Sequence, residues 1–214
     1  MITRSANLRT DRSIATYLIT DMPWKAKKPH FCSLALAIGA LLTLGACGTE
    51  STDTTSKAPN YKAALAGAPK PLAALYAQPN QLLEGGTDAF QKQIEDLKGY
   101  PVVVNQWASW CGPCRAEFPW FQTAAAKYGK KVAFLGVNSQ DSDDAAKTFL
   151  GEEPVPYPSY VDPDKDIGVV LKATLGLPDT AFYDRSGELV FTKQGPYTDQ
   201  ADLVADIQRY ALSG

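Results

Sequence analysis

Histidine is almost absent from this chain of 214 residues, which contains only His30. Because there is no imidazole from residue 48 onward, that part of the chain cannot supply a Ser-His-Asp or Cys-His catalytic group. A zinc site of the Cys2His2 kind is excluded there for the same reason. Covalent haem c requires a histidine directly after the second cysteine of a pair, and Arg115 follows Cys114 instead.

An excess of positive charge is also missing. From residue 48 onward the chain has 15 basic and 21 acidic residues, a net charge of −6. Nucleic-acid binding depends on clustered Lys and Arg that neutralise phosphates, so we expect no nucleic-acid partner. The length and a hydrophobic content of 45% predict one well-buried domain with tails.

No apolar run is long enough for an ordinary membrane span, which needs about 20 residues. Residues 31–46 form an uncharged run that follows Lys25, Lys27 and Lys28, an arrangement typical of a signal peptide. We therefore expect residues 22–47 to be a signal peptide, preceded by an over-extended start at residues 1–21.

The apolar run ends in Leu44-Gly45-Ala46-Cys47, which resembles the lipobox of bacterial lipoproteins, whose cysteine becomes acylated. The alternative is ordinary signal cleavage nearby, with Cys47 incidental. Residues 48–75 have no apolar periodicity and are predicted to be a flexible tether. We expect a lipid on Cys47 to anchor the protein at the extracytoplasmic face of the cell membrane. If Cys47 is not acylated, we expect a secreted or periplasmic protein.

Residues 76–214 alternate between β-branched runs and helical patterns. We expect strands at about 101–107, 132–137, 159–161, 180–183 and 188–192, and helices at about 89–97, 111–127, 141–150, 164–175 and 199–212. This order predicts an α/β fold with helices on both faces of a central sheet.

The most specific motif is Trp110-Cys111-Gly112-Pro113-Cys114, placed where a predicted strand passes into a predicted helix. Residues three apart on a helix have neighbouring Cβ atoms, so the two sulfurs can close a disulfide with little rearrangement. Cys111 would lie at the helix N-terminus, where unpaired amides and the helix dipole favour the thiolate. Cys114, one turn further on, should be shielded.

Two other interpretations of the cysteine pair compete with redox catalysis. A structural disulfide is possible, but such bridges usually close longer loops. A metal site would need further ligands, and the domain offers neither histidine nor a third cysteine. The motif and its strand-to-helix context favour catalysis, and we expect no metal.

Residues 101–119, Leu175–Thr180 and Asp184–Gly187 resemble the membrane-tethered thioredoxin-like proteins of the TlpA, ResA and DsbE-like family, over about residues 78–212. The resemblance implies a thioredoxin-like fold with a mixed sheet and thiol-disulfide oxidoreductase activity. It also implies a cis bond between Leu177 and Pro178, with Pro178 beside the redox pair.

Glu117 lies three residues after Cys114, on the same face of the predicted helix, and matches a glutamate of the tethered family. We expect it to transfer protons to and from Cys114; the alternative is a solvated surface glutamate. Thioredoxins have a buried aspartate six residues before the first cysteine. This chain has Asn105 there, and an amide cannot act as a base.

The expected mechanism is attack of the Cys111 thiolate on a partner disulfide, followed by resolution by Cys114. Trp110 and Pro178 would frame an exposed sulfur. The expected substrate contacts are Trp110, Gly112, Pro113 and Leu177. No dissociable cofactor is implied, and we expect a monomer.

Three functions remain open from the sequence. The first is reduction of disulfides in extracytoplasmic proteins, such as apocytochrome c in related proteins, with a membrane redox partner. The second is oxidation of dithiols in secreted chains. The third, a copper-binding module, is the weakest, because copper carriers of this fold use a wider cysteine spacing and a histidine.

Overall fold

The computed structural model describes residues 58–213. In this range the strands are β1 (Leu82–Leu83), β2 (Val102–Trp107), β3 (Ala133–Ser139), β4 (Ser159–Asp162), β5 (Asp179–Tyr183) and β6 (Leu189–Gln194). The helices are α1 (Tyr61–Ala64), α2 (Lys70–Tyr76), α3 (Gly86–Asp96), α4 (Gly112–Tyr128), α5 (Asp143–Glu152), α6 (Asp166–Val170) and α7 (Gln200–Asp206). A π-helical turn, Ile207–Ala211, continues α7.

The strands form one mixed sheet in the order β1-β4-β3-β2-β5-β6. The four strands from β1 to β2 pair in parallel, whereas β5 is antiparallel to both β2 and β6. The central strands β2 and β3 are buried along their whole length, which explains their continuous apolar runs.

Two buried clusters cover the two faces of the sheet. Successive side chains of a strand point to opposite faces, and Val103 accordingly belongs to one cluster while Val102 and Val104 belong to the other. The first cluster includes residues of α4, α5 and α7, and the second includes residues of α2, α3 and α6. The expected sheet with helices on both faces is confirmed.

The pairing of β2 with β5 determines where the site forms. Gln106, near the end of β2, lies opposite Asp179, the first residue of β5. Because the two strands are antiparallel, the segment that leaves β2 and the segment that enters β5 meet at one edge of the sheet. The first of these segments leads to Cys111, and the second contains Pro178.

The prediction of a flexible tether over residues 48–75 is wrong for residues 61–75. Two helices lie there, and Leu72 and Leu75 of α2 are buried against the sheet. These two leucines are three positions apart and therefore share one face of α2. The helix has only seven residues and a proline in its first turn, so its apolar pattern is too brief to predict from sequence.

Two further predicted helices differ in extent. The α6 helix ends at Val170 instead of residue 175, because Lys172 adopts a left-handed backbone conformation with φ of 57°. The helix expected to 212 leaves α-geometry at Ile207. The predicted signal peptide and Cys47 lie outside the described residues. In residues 58–213 no helix combines the length and the hydropathy needed to cross a membrane.

Candidate active site

Cys111 is the N-cap residue of α4, directly after the turn that leaves β2. Its Sγ accepts a hydrogen bond of 3.2 Å from the backbone N–H of Cys114. The two sulfurs are joined at 1.96 Å, with the Cα atoms 5.3 Å apart. When the bond is open, the positive end of the helix dipole favours the thiolate of Cys111 over its thiol.

Both cysteines are nearly buried in the disulfide form. Cys111 is 3% exposed and Cys114 is 1% exposed. The expectation of an exposed Cys111 sulfur is therefore wrong for this state, because both sulfurs belong to the apolar cluster against which Leu177 packs. Cys114 is shielded, as the sequence predicts. A Cβ added at Gly112 would meet no atom within 4 Å, so the approach at this residue is open.

Hydrogen bonds to the segment after β3 position the turn before Cys111. The backbone N–H and the hydroxyl of Ser109 donate to the two carboxylate oxygens of Asp141, at 2.5 and 2.8 Å. The indole N–H of Trp110 donates to the carbonyl oxygen of Gln140 at 2.8 Å. Trp110 is thereby held beside the redox pair although it is 62% exposed.

A groove of 650 Å³ opens on the α5 side of Trp110. Arg115 lines this groove, and its guanidinium carbon lies 4.4 Å from the ring centre of Phe149. A guanidinium nitrogen of Arg115 lies 3.6 Å from a carboxylate oxygen of Glu152. Because the cation lies over the ring and beside a carboxylate, its orientation in the groove is restrained.

Pro178 follows Leu177 through a cis peptide bond, as the family resemblance implies. Leu177 packs against the cluster that contains both cysteines, and β5 begins at the next residue, Asp179. The structure thus brings the predicted proline segment and the redox pair to the same edge of the sheet.

Glu117 is buried, with only 1% of its surface exposed. Its Oε1 accepts a hydrogen bond from the backbone N–H of Tyr197, and its Oε2 has no partner. Burial raises the pKa of Glu117 to about 7. The Tyr197 amide and the Lys193 ammonium lower this pKa, and the charge of Asp179 raises it by a smaller amount. A solvated surface glutamate is therefore excluded.

A family model described as Redoxin matches residues 54–207. The chain belongs to the Redoxin family. The thiol-disulfide oxidoreductase ResA of Bacillus thuringiensis is 29% identical over 117 residues, which are 53% of this chain and 67% of ResA. The thiol:disulfide interchange protein DsbE of Pseudomonas fluorescens is 39% identical, over 43% of this chain and 50% of DsbE. The thiol:disulfide interchange protein HelX of Rhodobacter capsulatus is 35% identical, over 49% of this chain and 58% of HelX.

Solved structures agree with this family assignment. DsbF of MTB superposes with a TM-score of 0.50 at 29% identity, covering 55% of this chain and 85% of DsbF. The thiol:disulfide interchange protein DsbE of Chlorobium tepidum gives a TM-score of 0.50 at 30% identity, covering 55% and 84%. The chain spans between 50% and 67% of the curated relatives named above. The predicted thioredoxin-like fold and thiol-disulfide oxidoreductase class are confirmed for this Redoxin member.

Sequence reasoning missed three residues around Glu117: Asp179, Lys193 and Tyr197. Asp179 stands directly after Pro178 in the sequence, which could have indicated it. Tyr197 contributes a backbone N–H, which no side-chain pattern can reveal. Asn105, at the position of the thioredoxin aspartate, is buried in β2 and 2% exposed.

In the described part of the chain, no three Cys, His, Asp or Glu side chains are grouped so that they could bind a metal ion. The copper-binding alternative stays a hypothesis, which a copper titration of the reduced domain would test.

Proposed function

We propose that this chain reduces disulfide bonds of proteins outside the cytoplasm, acting from the outer face of the cell membrane. The observation that carries the proposal is the arrangement along α4, where Cys111 caps the helix and Glu117 is buried one turn beyond Cys114. This arrangement supplies a nucleophile, a resolving thiol and a proton acceptor on one element.

The first step is attack on the partner. In the reduced protein the Cys111 thiolate attacks one sulfur of a partner disulfide, forms a mixed disulfide and releases the other partner sulfur as a thiolate. Cys111 is the better attacking group, because it lies at the positive end of α4 while Cys114 lies inside the first turn.

The second step resolves the mixed disulfide. Cys114 loses its proton to Glu117 and its thiolate attacks Sγ of Cys111, which closes the disulfide and releases the second partner thiolate. Two electrons pass from the two cysteines to the partner. With a pKa of about 7, Glu117 can both accept and return a proton near neutral pH.

The surface around the pair supports the binding of an extended partner segment. Trp110 is exposed, Gly112 leaves open space, and the half-buried Leu177 packs against the cluster that contains both cysteines. Pro113 is exposed in the first turn of α4 and would contact the same segment, whereas Pro178 is buried in the disulfide form. Trp110, Pro113 and Leu177 thus offer apolar surface to a partner, and Gly112 offers backbone groups.

The direction of electron flow is inferred from the Gly112-Pro113 dipeptide, which resembles that of reducing thioredoxins. Apocytochrome c is the substrate class that the family resemblance suggests. A redox partner in the membrane would return electrons to the pair after each turnover. A lipid on Cys47 would place the domain at the membrane surface.

The reduction potential tests the direction. Equilibration of the purified protein with glutathione buffers should give a value near about −270 mV for a reductase, whereas a value near about −120 mV would identify an oxidase and overturn the proposal. A Cys111→Ser, Cys114→Ser double variant serves as the control, because it cannot form the disulfide.

A further inference from the structure

An apolar groove lies beside the first two helices of the domain. Its volume is 430 Å³, and most of the side chains that line it are apolar or aromatic, among them Tyr61, Leu65, Ala73, Tyr76, Pro79 and Pro156. The hydroxyls of Tyr61 and Tyr76 donate hydrogen bonds of 2.8 Å to the carbonyl oxygens of Pro154 and Val132. Because both hydroxyls have partners inside the protein, the two rings present apolar surface, which the proposed redox steps do not use.

Five exposed lysines come from the two chain segments that meet at this groove. Residues 58–79 and 120–132 contain no acidic residue, and their basic residues are Lys62, Lys70, Lys127, Lys130 and Lys131. Residues 80–119 and 133–213 contain 9 basic and 19 acidic residues. Within residues 58–213 none of the five lysines forms an ion pair with a carboxylate, whereas Lys92, Lys98 and Lys147 each do. The five lysines and the groove form the basic face of the domain.

Gly129, directly after α4, brings the two segments together. A Cβ at this glycine would lie 2.6 Å from the side chain of Leu65 and 3.2 Å from the hydroxyl of Tyr76, and both of these residues line the groove. The lysines of residues 127–131 are within two positions of Gly129, and Lys62 itself lines the groove. Positive charge therefore adjoins the apolar surface.

One carboxylate also lies near this end of α4. The side-chain amide of Gln122 donates a hydrogen bond of 3.0 Å to Glu153, and the hydroxyl of Tyr61 binds the next residue, Pro154. Five lysines and this carboxylate give a net charge of +4. The basic face is thus strongly positive on a domain whose described residues are acidic in sum.

The basic face lies at the end of α4 opposite the redox pair. The helix has 17 residues, and at a rise of 1.5 Å per residue it is about 25 Å long. Cys47, the expected site of the lipid, precedes residue 58 by 11 positions, which can span at most about 40 Å. A lipid on Cys47 would therefore hold α1 and the basic face close to the bilayer.

We propose that the basic face docks on a membrane surface that contains anionic phospholipids, with the lysines on lipid phosphates and an acyl chain in the groove. Lysines beside an anionic surface each strengthen binding, and buried apolar area adds to it. The inference goes beyond the proposed redox function and rests on the proposed location at the membrane. Docking in this orientation directs Cys111 away from the lipid, toward proteins outside the cytoplasm.

Lysine reactivity tests the docking on the lipidated protein extracted from membranes. The protein is inserted into the outer leaflet of vesicles made of phosphatidylcholine alone or of phosphatidylcholine with phosphatidylglycerol. Amines are acylated with a water-soluble succinimide ester, and each modified lysine is quantified by mass spectrometry. With phosphatidylglycerol, the five lysines of the basic face should react more slowly by about 5-fold or more. Lys147 and Lys172, outside this face, should react equally on both kinds of vesicle.

Salt and protein density complete this test. In about 1 M salt, where the Debye length is about 3 Å, the five lysines should regain their reactivity. Equal reactivity on the two kinds of vesicle at low salt would overturn the proposal. Protection that follows the number of protein molecules per vesicle, and not phosphatidylglycerol, would make a second copy the occupant and would also overturn it.

Two adjacent alanines of α2 test the groove. Ala73 and Ala74 are both exposed, but of the two only Ala73 lines the groove. Ala73→Gln should restore lysine reactivity on the anionic vesicles, because its amide would have to be buried against an acyl chain without a partner. Ala74→Gln should leave the protection unchanged. Equal protection in the two variants would show that no lipid enters the groove and would overturn the proposal.

The charge is tested by a double variant, Lys130→Gln with Lys131→Gln. On the anionic vesicles Lys62 should regain reactivity by about 5-fold or more in this variant. Lys147→Gln with Lys172→Gln makes the same charge change outside the basic face and should have no effect on Lys62. Equal reactivity of Lys62 in the two double variants would contradict the electrostatic contact.

The proposed function and the anchor can fail separately from the docking. A reduction potential typical of an oxidase would change the direction of electron flow and leave the lysine pattern as it is. If Cys47 is unmodified but the five lysines are protected on anionic vesicles, only the anchor is wrong. If Cys47 is acylated and the lysines are not protected, only the docking is wrong.

Discussion

The backbone N–H of Tyr197 donates a hydrogen bond to Oε1 of Glu117, joining residues 80 positions apart in the chain. This bond stabilises the ionised form of a carboxylate that burial otherwise disfavours. Glu117 is thus balanced between two protonation states near neutral pH, and its chemistry and its effect on stability can both be measured.

Glu117→Gln should slow thiol-disulfide exchange by about 10-fold or more at neutral pH, because the amide cannot accept the Cys114 proton. The rate should also lose its dependence on pH around 7. Stopped-flow exchange with a model disulfide peptide between about pH 6 and 9 measures both effects. Glu95→Gln, at an exposed position of α3, is the matched control. Unchanged rates over this range would remove Glu117 from the mechanism.

The same variant should alter the pH dependence of stability. Because the folded protein raises the pKa of Glu117 from 4.5 to about 7, it binds this proton more tightly than the unfolded chain does. The contribution of Glu117 to stability therefore falls as pH rises from about 4.5 to 7, by an amount on the order of 2 kcal/mol.

Urea unfolding of the oxidised proteins at about pH 5 and 8 tests this sign. Wild type should lose more stability than Glu117→Gln between the two values, and Glu95→Gln should behave like wild type. Equal losses in wild type and Glu117→Gln would contradict the expectation.

Cys114→Ser should trap partners as mixed disulfides through Cys111, because a serine hydroxyl cannot displace sulfur. Cys111→Ser should trap little, since Cys114 lies inside the first turn of α4 and only Cys111 occupies the N-cap position that favours the thiolate. Capture in cells of the native host followed by mass spectrometry names the partners. Trapping by both variants alike, or by neither, would overturn the assignment of Cys111 as the attacking thiol.

We expect Cys47 to carry a lipid and to be the N-terminal residue of the mature protein, because it ends a short apolar run in Leu44-Gly45-Ala46-Cys47. Mass analysis of membrane-extracted full-length protein measures this. Cys47→Ser should release the protein from membranes, whereas Cys32→Ser should not. An unmodified Cys47, or an N-terminus elsewhere, would exclude the anchor.

Leu72→Ala should lower the free energy of unfolding by about 2 to 5 kcal/mol, because Leu72 is fully buried between α2 and the sheet. Leu175→Ala removes the same atoms at a position that is 83% exposed and should change stability by less than about 0.5 kcal/mol. Chemical denaturation of both variants provides the comparison. Equally small changes in the free energy of unfolding for both variants would show that α2 is not packed on the sheet and belongs to the flexible tether.

The redox element itself could be predicted from the sequence, for physical reasons that are local. The run Val102–Trp107 is apolar enough to be a buried strand, and the cysteine motif follows it at the start of a helix. Both features depend on residues close together in the chain, so no knowledge of the tertiary fold is needed.

The helix α2 and the buried surroundings of Glu117 could not be predicted in this way. The two buried leucines of α2 gain their significance only from the sheet face they cover. Asp179 and Glu117 each accept a hydrogen bond from a backbone amide of one distant loop, and any residue other than proline could supply those amides. Burial, which decides the protonation of Glu117, is a property of the assembled fold.

Tyr197 binds at both ends, with its N–H on Glu117 and its hydroxyl on Asp206 of α7. The helix α7 is therefore hydrogen-bonded to the loop whose backbone amide lowers the pKa of Glu117. A deletion that removes Asp206 takes away the acceptor of the Tyr197 hydroxyl. We therefore expect changes in the last helix to alter the thiol chemistry even where both cysteines are untouched.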